Sequence, residues 1–182
     1  MTGHLFTVVG PSGAGKDTLL ALACAQRPDL ALVRRVITRP ETAGSEAFEG
    51  VSESEFAKRL AAGQFALHWQ AHGLSYGIPK SELAPLARGA DVVFNGSRAA
   101  LVAAAAQYPA LKVILVTAPA DILARRLAAR GREDHADIAA RVSRAAMDLP
   151  AGLSCIEVIN DSTPEEGAAR LLAALRPQPA KA

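Results

Sequence analysis

Gly10-Pro11-Ser12-Gly13-Ala14-Gly15-Lys16 follows an apolar run, Leu5 to Val9, and opens a helix-forming stretch, Thr18 to Gln26. A strand before and a helix after make this a phosphate-binding loop. Glycines at 10, 13 and 15 let the backbone turn without steric cost, so successive N–H groups can cradle the phosphates of a nucleoside triphosphate. The following helix N-terminus adds its positive dipole end, and the Lys16 ammonium can reach the β- and γ-phosphates. The motif departs from its usual form at one position. Asp17 stands where serine or threonine is expected, and the hydroxyl arrives one residue later, at Thr18. Asp17 has two readings: a carboxylate ligand for a hard cation such as Mg²⁺, or a first-turn acid that favours the helix dipole.

A chain of 182 residues suits one domain with a sizeable core. Half of it is hydrophobic and 21% is charged, a globular composition. A net charge of +2 gives no long-range field for a nucleic-acid backbone, and five Phe, two Tyr and one Trp offer no run of stacking aromatics. Nucleic acid is therefore not an expected partner. Apolar runs such as Ala99 to Ala106 fall far short of the roughly 18 residues that a membrane span needs. Cys24 and Cys155 are isolated and lack metal-ligand spacing, and the N-terminus has no secretory pattern, so a cytoplasmic protein with reduced thiols is expected.

Strand-like runs at 4–9, 32–37, 91–95, 112–117 and 155–159 alternate with helical patterns, which predicts an α/β fold with a parallel sheet flanked by helices. Between Pro40 and Pro79 the texture changes, and 40–79 reads as an inserted subdomain with a helix from Ser52 to Ala62, where Ser52 and Glu55 have capping-box spacing. Asp121 to Arg130 and Asp137 to Met147 read as two amphipathic helices of a lid over the triphosphate, with Gly131 ending the first. The final helix spans Pro164 to Leu175, and 177–182 reads as a flexible tail of a single domain, 1–176.

Arg39, just past a strand, is a candidate grip for an acceptor phosphate, with a solvated surface arginine as its other reading. Tyr76 stands beside Gly77, where a small anion could approach the backbone, or else it is a core aromatic. The pairs Arg126 with Arg130 and Arg141 with Arg144 share helix faces, and like charges so placed favour an anion between them. Arginines closing over a transferring phosphoryl group stabilise its charge. Asp91-Val-Val-Phe-Asn95-Gly96-Ser97-Arg98 ends a strand in neutral residues, which read as an acceptor-site contact or as a plain turn. No general base and no metal cluster can be assigned to the four histidines.

Gly-Pro-Ser-Gly-Ala-Gly-Lys, Thr38-Arg39-Pro40, Val-Ser-Glu-Ser-Glu-Phe, Tyr76-Gly-Ile-Pro and the arginine-rich lid together resemble the guanylate kinase group of phosphate-loop kinases over nearly the whole chain. The resemblance fails where guanine would be read: Thr42, His68 and Asn95-Gly-Ser97 replace an arginine, an acid and an Asp-x-Asp. Gly15 to Asp17, Ile37 to Arg39, Ala43 to Glu46, Gly73 to Gly77, Asp91 to Arg98 and Arg130 to Glu133 are instead similar to motifs of the ribose 1,5-bisphosphate phosphokinases of bacterial phosphonate degradation. That resemblance implies a nucleoside-monophosphate-kinase-like three-layer fold and ATP-dependent phosphorylation of ribose 1,5-bisphosphate to 5-phospho-D-ribosyl α-1-diphosphate. It also implies donor contacts from Gly10 to Thr18 and from Arg126, Arg130, Arg132 and Arg141, a role for Mg²⁺ near Asp17, and acceptor contacts from Arg39, Tyr76, Asn95, Ser97 and Arg98. The enzyme is expected to act as a monomer or homodimer. Guanylate kinase, and a domain of that fold that only binds a partner, are the alternative readings.

Overall fold

The computed structural model describes residues 3–41, 47–129, 149–150 and 152–176. The chain divides into two compact units, Met1–Thr7 with Pro28–Lys112, and Val8–Arg27 with Val113–Ala182. The division falls within the first strand, β1 (Leu5–Val9), every residue of which is buried.

In the first unit, β2 (Ala31–Leu32) pairs in parallel with β7 (Val92–Asn95), and the His4 carbonyl accepts from the Val92 amide at 2.9 Å. A second sheet has the order β4 (Glu49–Gly50), β3 (Val36–Ile37), β6 (Leu74–Pro79), β5 (Phe65–Ala71). The expected single strand over 32–37 is thus two strands in two sheets. The reason lies in the backbone partners: Val33 N–H still donates to Val93, whereas Arg34 N–H donates to the Glu82 carboxylate and the Arg35 carbonyl accepts from Glu49. Between β5 and β6, His72 and Gly73 both have positive φ, 53° and 73°, which defines the two-residue hairpin turn that matches strand twist.

Helix α2 (Glu53–Ala61) starts as the sequence predicts, with the Ser52 hydroxyl accepting from the Glu55 amide at 3.1 Å. The Glu55 carboxylate accepts from Arg59, which also donates to Glu49 at 2.7 Å, and this pairing holds the Glu49 carboxyl below its usual range. Phe56 of α2 stacks on Phe65 and packs with Val36 on one side of the second sheet. On the other side, Leu67, Trp69 and Ile78 join Val92 and Phe94 in the unit's core. Short helices α3 (Ala84–Ala87) and α4 (Leu101–Gln107) flank β7 in sequence.

The second unit carries α1 (Lys16–Gln26), β8 (Lys112–Thr117, from its second residue), α5 (Ala120–Ala129), β9 (Cys155–Ile159) and α6 (Pro164–Ala174). β8 and β9 are parallel, from Val113 opposite Cys155 to Thr117 opposite Ile159. α1 packs on α6, where Leu19, Leu171 and Leu175 are fully buried, each burial being worth about 1.5 to 3 kcal/mol. α6 opens with the Thr163 hydroxyl accepting from the Glu166 amide and with Pro164 in its first turn. Among the described residues no helix is long and apolar enough to cross a membrane.

Gly167 of α6 has a structural reason: a Cβ there would lie 2.7 Å from Asn160 Oδ1 and 2.8 Å from Leu19 Cδ2. Alanine would gain up to about 1 kcal/mol in helix propensity, but overpacking a fixed core costs about 1 to 3 kcal/mol. Neither neighbour has room to give, since Asn160 is hydrogen-bonded and Leu19 is wholly buried. Gly167→Ala is therefore expected to lower the melting temperature in calorimetry; a stabilised variant would contradict this packing.

Candidate active site

The residues expected to contact the phosphate donor, as far as they are described, belong to the second unit. Gly10 leaves β1 at φ 150°, and a Cβ on it would come 2.1 Å from the Val116 carbonyl oxygen, so only glycine lets the loop start this close to β8. Gly15 caps α1 in the left-handed conformation, φ 88°, and offers no side chain to the first helical turn. The first-turn N–H groups of a helix have no intrahelical acceptors, and here the cap supplies none from a side chain. Lys16 folds along the loop, its ammonium donating to the carbonyls of Gly10 at 2.8 Å and Pro11 at 3.1 Å. Asp17 is half-buried in the first turn and Thr18 is exposed.

Asn160, just past β9, holds the loop from behind. Its side-chain amide donates to the Ala14 carbonyl at 2.7 Å, and its backbone N–H donates to Thr117 at 2.8 Å. It is 4% exposed, and a Cβ on Gly15 would stand 2.5 Å from its Nδ2. Sequence reasoning did not select this residue; the signal was a polar Asn-Asp-Ser run directly after an apolar strand.

Of the arginines assigned to a lid, Arg125 and Arg126 are described. They differ in their surroundings. Arg125 makes an exposed pair with Asp121 at 3.1 Å, whereas the Nη1 of Arg126 is buried without a hydrogen-bond partner, 3.9 Å from where a Cβ on Gly15 would stand. Arg126 lines a cavity of about 340 Å³ with Ile122, Arg125, Ala129, Asp161 and Ser162, and the Ser162 hydroxyl is likewise buried and unpartnered. Arg170 holds the Asp161 carboxyl below its usual range through a 2.7 Å contact. Arg130, Gly131, Arg132, Arg141, Arg144, the second lid helix, Thr42, the stretch 43–46 and the tail lie outside the described residues.

The residues expected to contact the acceptor belong to the first unit. Arg39 is half-buried with its guanidinium 4.4 Å from the centroid of the Phe48 ring, and its Nε is buried without a partner. Tyr76 stacks on Trp69 at 5.4 Å, and Arg35, 7% exposed, lies 5.3 Å over the Tyr76 ring. Gly77 does not open the backbone to an anion, as its sequence context predicted: a Cβ there would strike the Phe65 ring at 2.5 Å, so the glycine makes room for packing. Thr38 of the Thr-Arg-Pro motif ties β3 to the hairpin, its hydroxyl accepting from the Ser75 amide at 2.9 Å.

Asn95 ends β7 and is 6% exposed, Ser97 caps the following turn through the Ala99 amide at 3.3 Å, and Arg98 is half-buried. That turn packs against β5, the strand of Trp69. His68 alternates away from Trp69 and is exposed, lining a groove of about 900 Å³ with Phe56, Leu60 and His72. It does not join Tyr76.

The fold is that of phosphate-loop kinases. Guanylate kinase from Anaplasma phagocytophilum superposes with a TM-score of 0.68 at 18% identity over 96% of this chain and 85% of that one. A gluconokinase from Sinorhizobium meliloti follows with a TM-score of 0.51 at 15% identity, covering 96% and 91%. At these identities the likeness carries the fold alone. No protein-family model matches the chain. Sequence relatives are much nearer: the chain is 45% identical to the ribose 1,5-bisphosphate phosphokinase of Methylobacterium radiotolerans over 97% of its own length and 99% of that protein's. It is 47% identical to the enzyme of the same name from Rhizobium etli, covering 95% and 89%. It therefore belongs to the ribose 1,5-bisphosphate phosphokinase family. The chain spans 29% of the length of the bifunctional ribose 1,5-bisphosphokinase-thymidine phosphorylase of Cupriavidus necator, to which it is 52% identical over 96% of its own.

Proposed function

We propose that this chain is a kinase that transfers the γ-phosphoryl group of ATP to the 1-phosphate of ribose 1,5-bisphosphate. An oxygen of the 1-phosphate attacks the γ-phosphorus and forms the new P–O bond. The bond from the γ-phosphorus to the β–γ bridging oxygen breaks, and ADP leaves with that oxygen. The products are ADP and 5-phospho-D-ribosyl α-1-diphosphate. The observation that carries this reading is the end-to-end likeness to kinases of that name together with an intact lysine loop.

The residues suit this chemistry. A phosphate oxygen is already ionised, so the reaction needs positioning and charge neutralisation rather than a general base. Gly10 to Thr18 cradle the triphosphate, and Lys16 exchanges its loop carbonyls for the β- and γ-phosphates. The cavity beside Arg126 and Ser162 receives the nucleoside, where two buried polar atoms have no partner in the protein. Arg126, with Arg130, Arg132 and Arg141, neutralises the transferring group. Arg39, Tyr76, Asn95, Ser97 and Arg98 hold the bisphosphate.

Mg²⁺ fits the donor set. The described residues hold no cluster of three His, Cys, Asp or Glu, and this ion characteristically takes one or two carboxylates and completes its shell with phosphates and water. Asp17, in the first turn of α1, would hold it, and when bound it would neutralise the phosphate oxygens. We read the enzyme as cytoplasmic and as a monomer or homodimer; free Cys24 and Cys155 accord with a reducing compartment.

The test is ADP release from ATP and Mg²⁺ with ribose 1,5-bisphosphate as acceptor, with the product identified by phosphorus NMR. A diphosphate signal from the C1 position is expected. No acceptor-dependent ADP release would overturn the reading.

A further inference from the structure

We propose that Asn160 is a positioning residue for the phosphoryl donor: by holding the Ala14 carbonyl it aims the Gly15 N–H at the donor's phosphates. The inference rests on the use of ATP proposed above, and every residue it draws on belongs to the second unit.

A trans peptide is planar, with its C=O and its N–H on opposite edges. The Ala14 carbonyl and the Gly15 N–H are the two ends of one such plane, so fixing the direction of the first fixes that of the second. The Asn160 side-chain amide donates to that carbonyl at 2.7 Å, and Ala14 is wholly buried. Gly15 needs the restraint, because glycine has more conformational freedom than any other residue and this one sits at φ 88°. Its missing side chain also lets the amide reach the loop, since a Cβ on Gly15 would stand 2.5 Å from Asn160 Nδ2. Asn160 is fixed from outside the loop. Its backbone N–H donates to Thr117 at the end of β8, and Gly167 of α6 leaves room for its Oδ1. The loop is thus aimed by a strand end and a helix.

A second observation separates this role from packing. Asn160 Oδ1 is buried without a hydrogen-bond partner among the described residues. An unpaired buried acceptor costs stability, and an apolar residue at 160 would avoid that cost. What an apolar residue would lack is the donor for Ala14. The asparagine is therefore explained by its N–H and not by its fit. A third observation connects the restrained peptide with the chemistry. Arg126 Nη1, also buried and unpartnered, lies 3.9 Å from the point where a Cβ on Gly15 would stand. The peptide that Asn160 holds is next to the arginine proposed to neutralise the transferring group.

The experiment titrates the unaltered chain and Asn160→Ala with ADP and Mg²⁺ by calorimetry, and measures KM for ATP and for ribose 1,5-bisphosphate. In Asn160→Ala the Kd for ADP and the KM for ATP should each rise about tenfold or more, as expected when a peptide that lost its partner turns away from the phosphates. The calorimetric stoichiometry, which reads the folded fraction, and the KM for the bisphosphate should stay as they were. A loss of stoichiometry or of kcat with both KM values unchanged would mean that Asn160 only supports the fold. Equal rises in the two KM values would mean the same, and an unchanged Kd for ADP would mean that the loop is aimed without it; each of these results overturns the inference. Should Asn160→Ala not fold, Asn160→Leu, which keeps the volume and still lacks the amide, carries the same comparison with the same overturning outcomes. The unaltered chain separates the two proposals: if it binds no ADP, the donor reading fails as well, and if it binds ADP and the variant binds it as tightly, only the role of Asn160 fails.

Discussion

Lys16→Ala is expected to lower kcat about a thousandfold while leaving the fold intact, because the ammonium acts on charge that develops as the γ-phosphoryl group leaves ADP. In the free protein the Lys16 ammonium donates to the Gly10 and Pro11 carbonyls of its own loop. Those carbonyls can turn to water when the side chain is removed, so the circular dichroism spectrum should not change. The loss belongs mostly in kcat, since an interaction stronger in the transition state than in the bound substrate appears there. Single-turnover measurement at saturating ATP checks it. Near-normal turnover in the variant would remove the kinase assignment altogether, whatever the acceptor.

The second large effect concerns acceptor choice. Ribose 1,5-bisphosphate should be preferred to GMP by roughly a hundredfold or more, because guanine brings N–H donors that find no carboxylate. The structure sharpens the reason. His68 is exposed on the face of β5 turned away from Tyr76, and the Ser97 hydroxyl is already engaged in capping its own turn. Each donor left without a charged partner costs about 1.5 to 3 kcal/mol, and two such losses reach the stated ratio. Initial rates of ADP release with GMP, dGMP and ribose 1,5-bisphosphate measure it. Equal rates on GMP and the bisphosphate would restore guanylate kinase as the reading.

How much of this was legible in the sequence differed from element to element for physical reasons. β1 is a wholly buried apolar run and β8 a largely buried one, whereas β9 was legible from its β-branched residues although Val158 alone of them is buried; the predicted 112–117 and 155–159 are the observed spans. The phosphate loop was equally plain, since its glycines answer to local backbone needs. The stretch 32–37 misled because Val33 to Ile37 keeps strand-like composition while its backbone changes partners at Arg34. The β5–β6 hairpin went unread although Phe-Ala-Leu-His-Trp-Gln-Ala alternates, because the first turn position is held by His72 rather than by the Asn, Asp or Gly that marks such a turn most strongly. Arg35 was visible only as one arginine among several, and its burial is a property of the sheet. Asn160 could not be found from sequence spacing, because its partner lies in a different part of the chain.

That last contact has a consequence for how the protein is made. The loop at Ala14 is braced by a residue 146 positions later, and the unit that contains both is interrupted by residues 28–112. At about 5 to 20 residues per second, a ribosome needs roughly 7 to 30 seconds to reach Asn160 after Ala14 has been joined. Throughout that interval the nascent glycine-rich loop lacks the Asn160 contact. The brace on the phosphate loop is thus among the last contacts of its unit to become available, added only once β9 and Asn160 have been made.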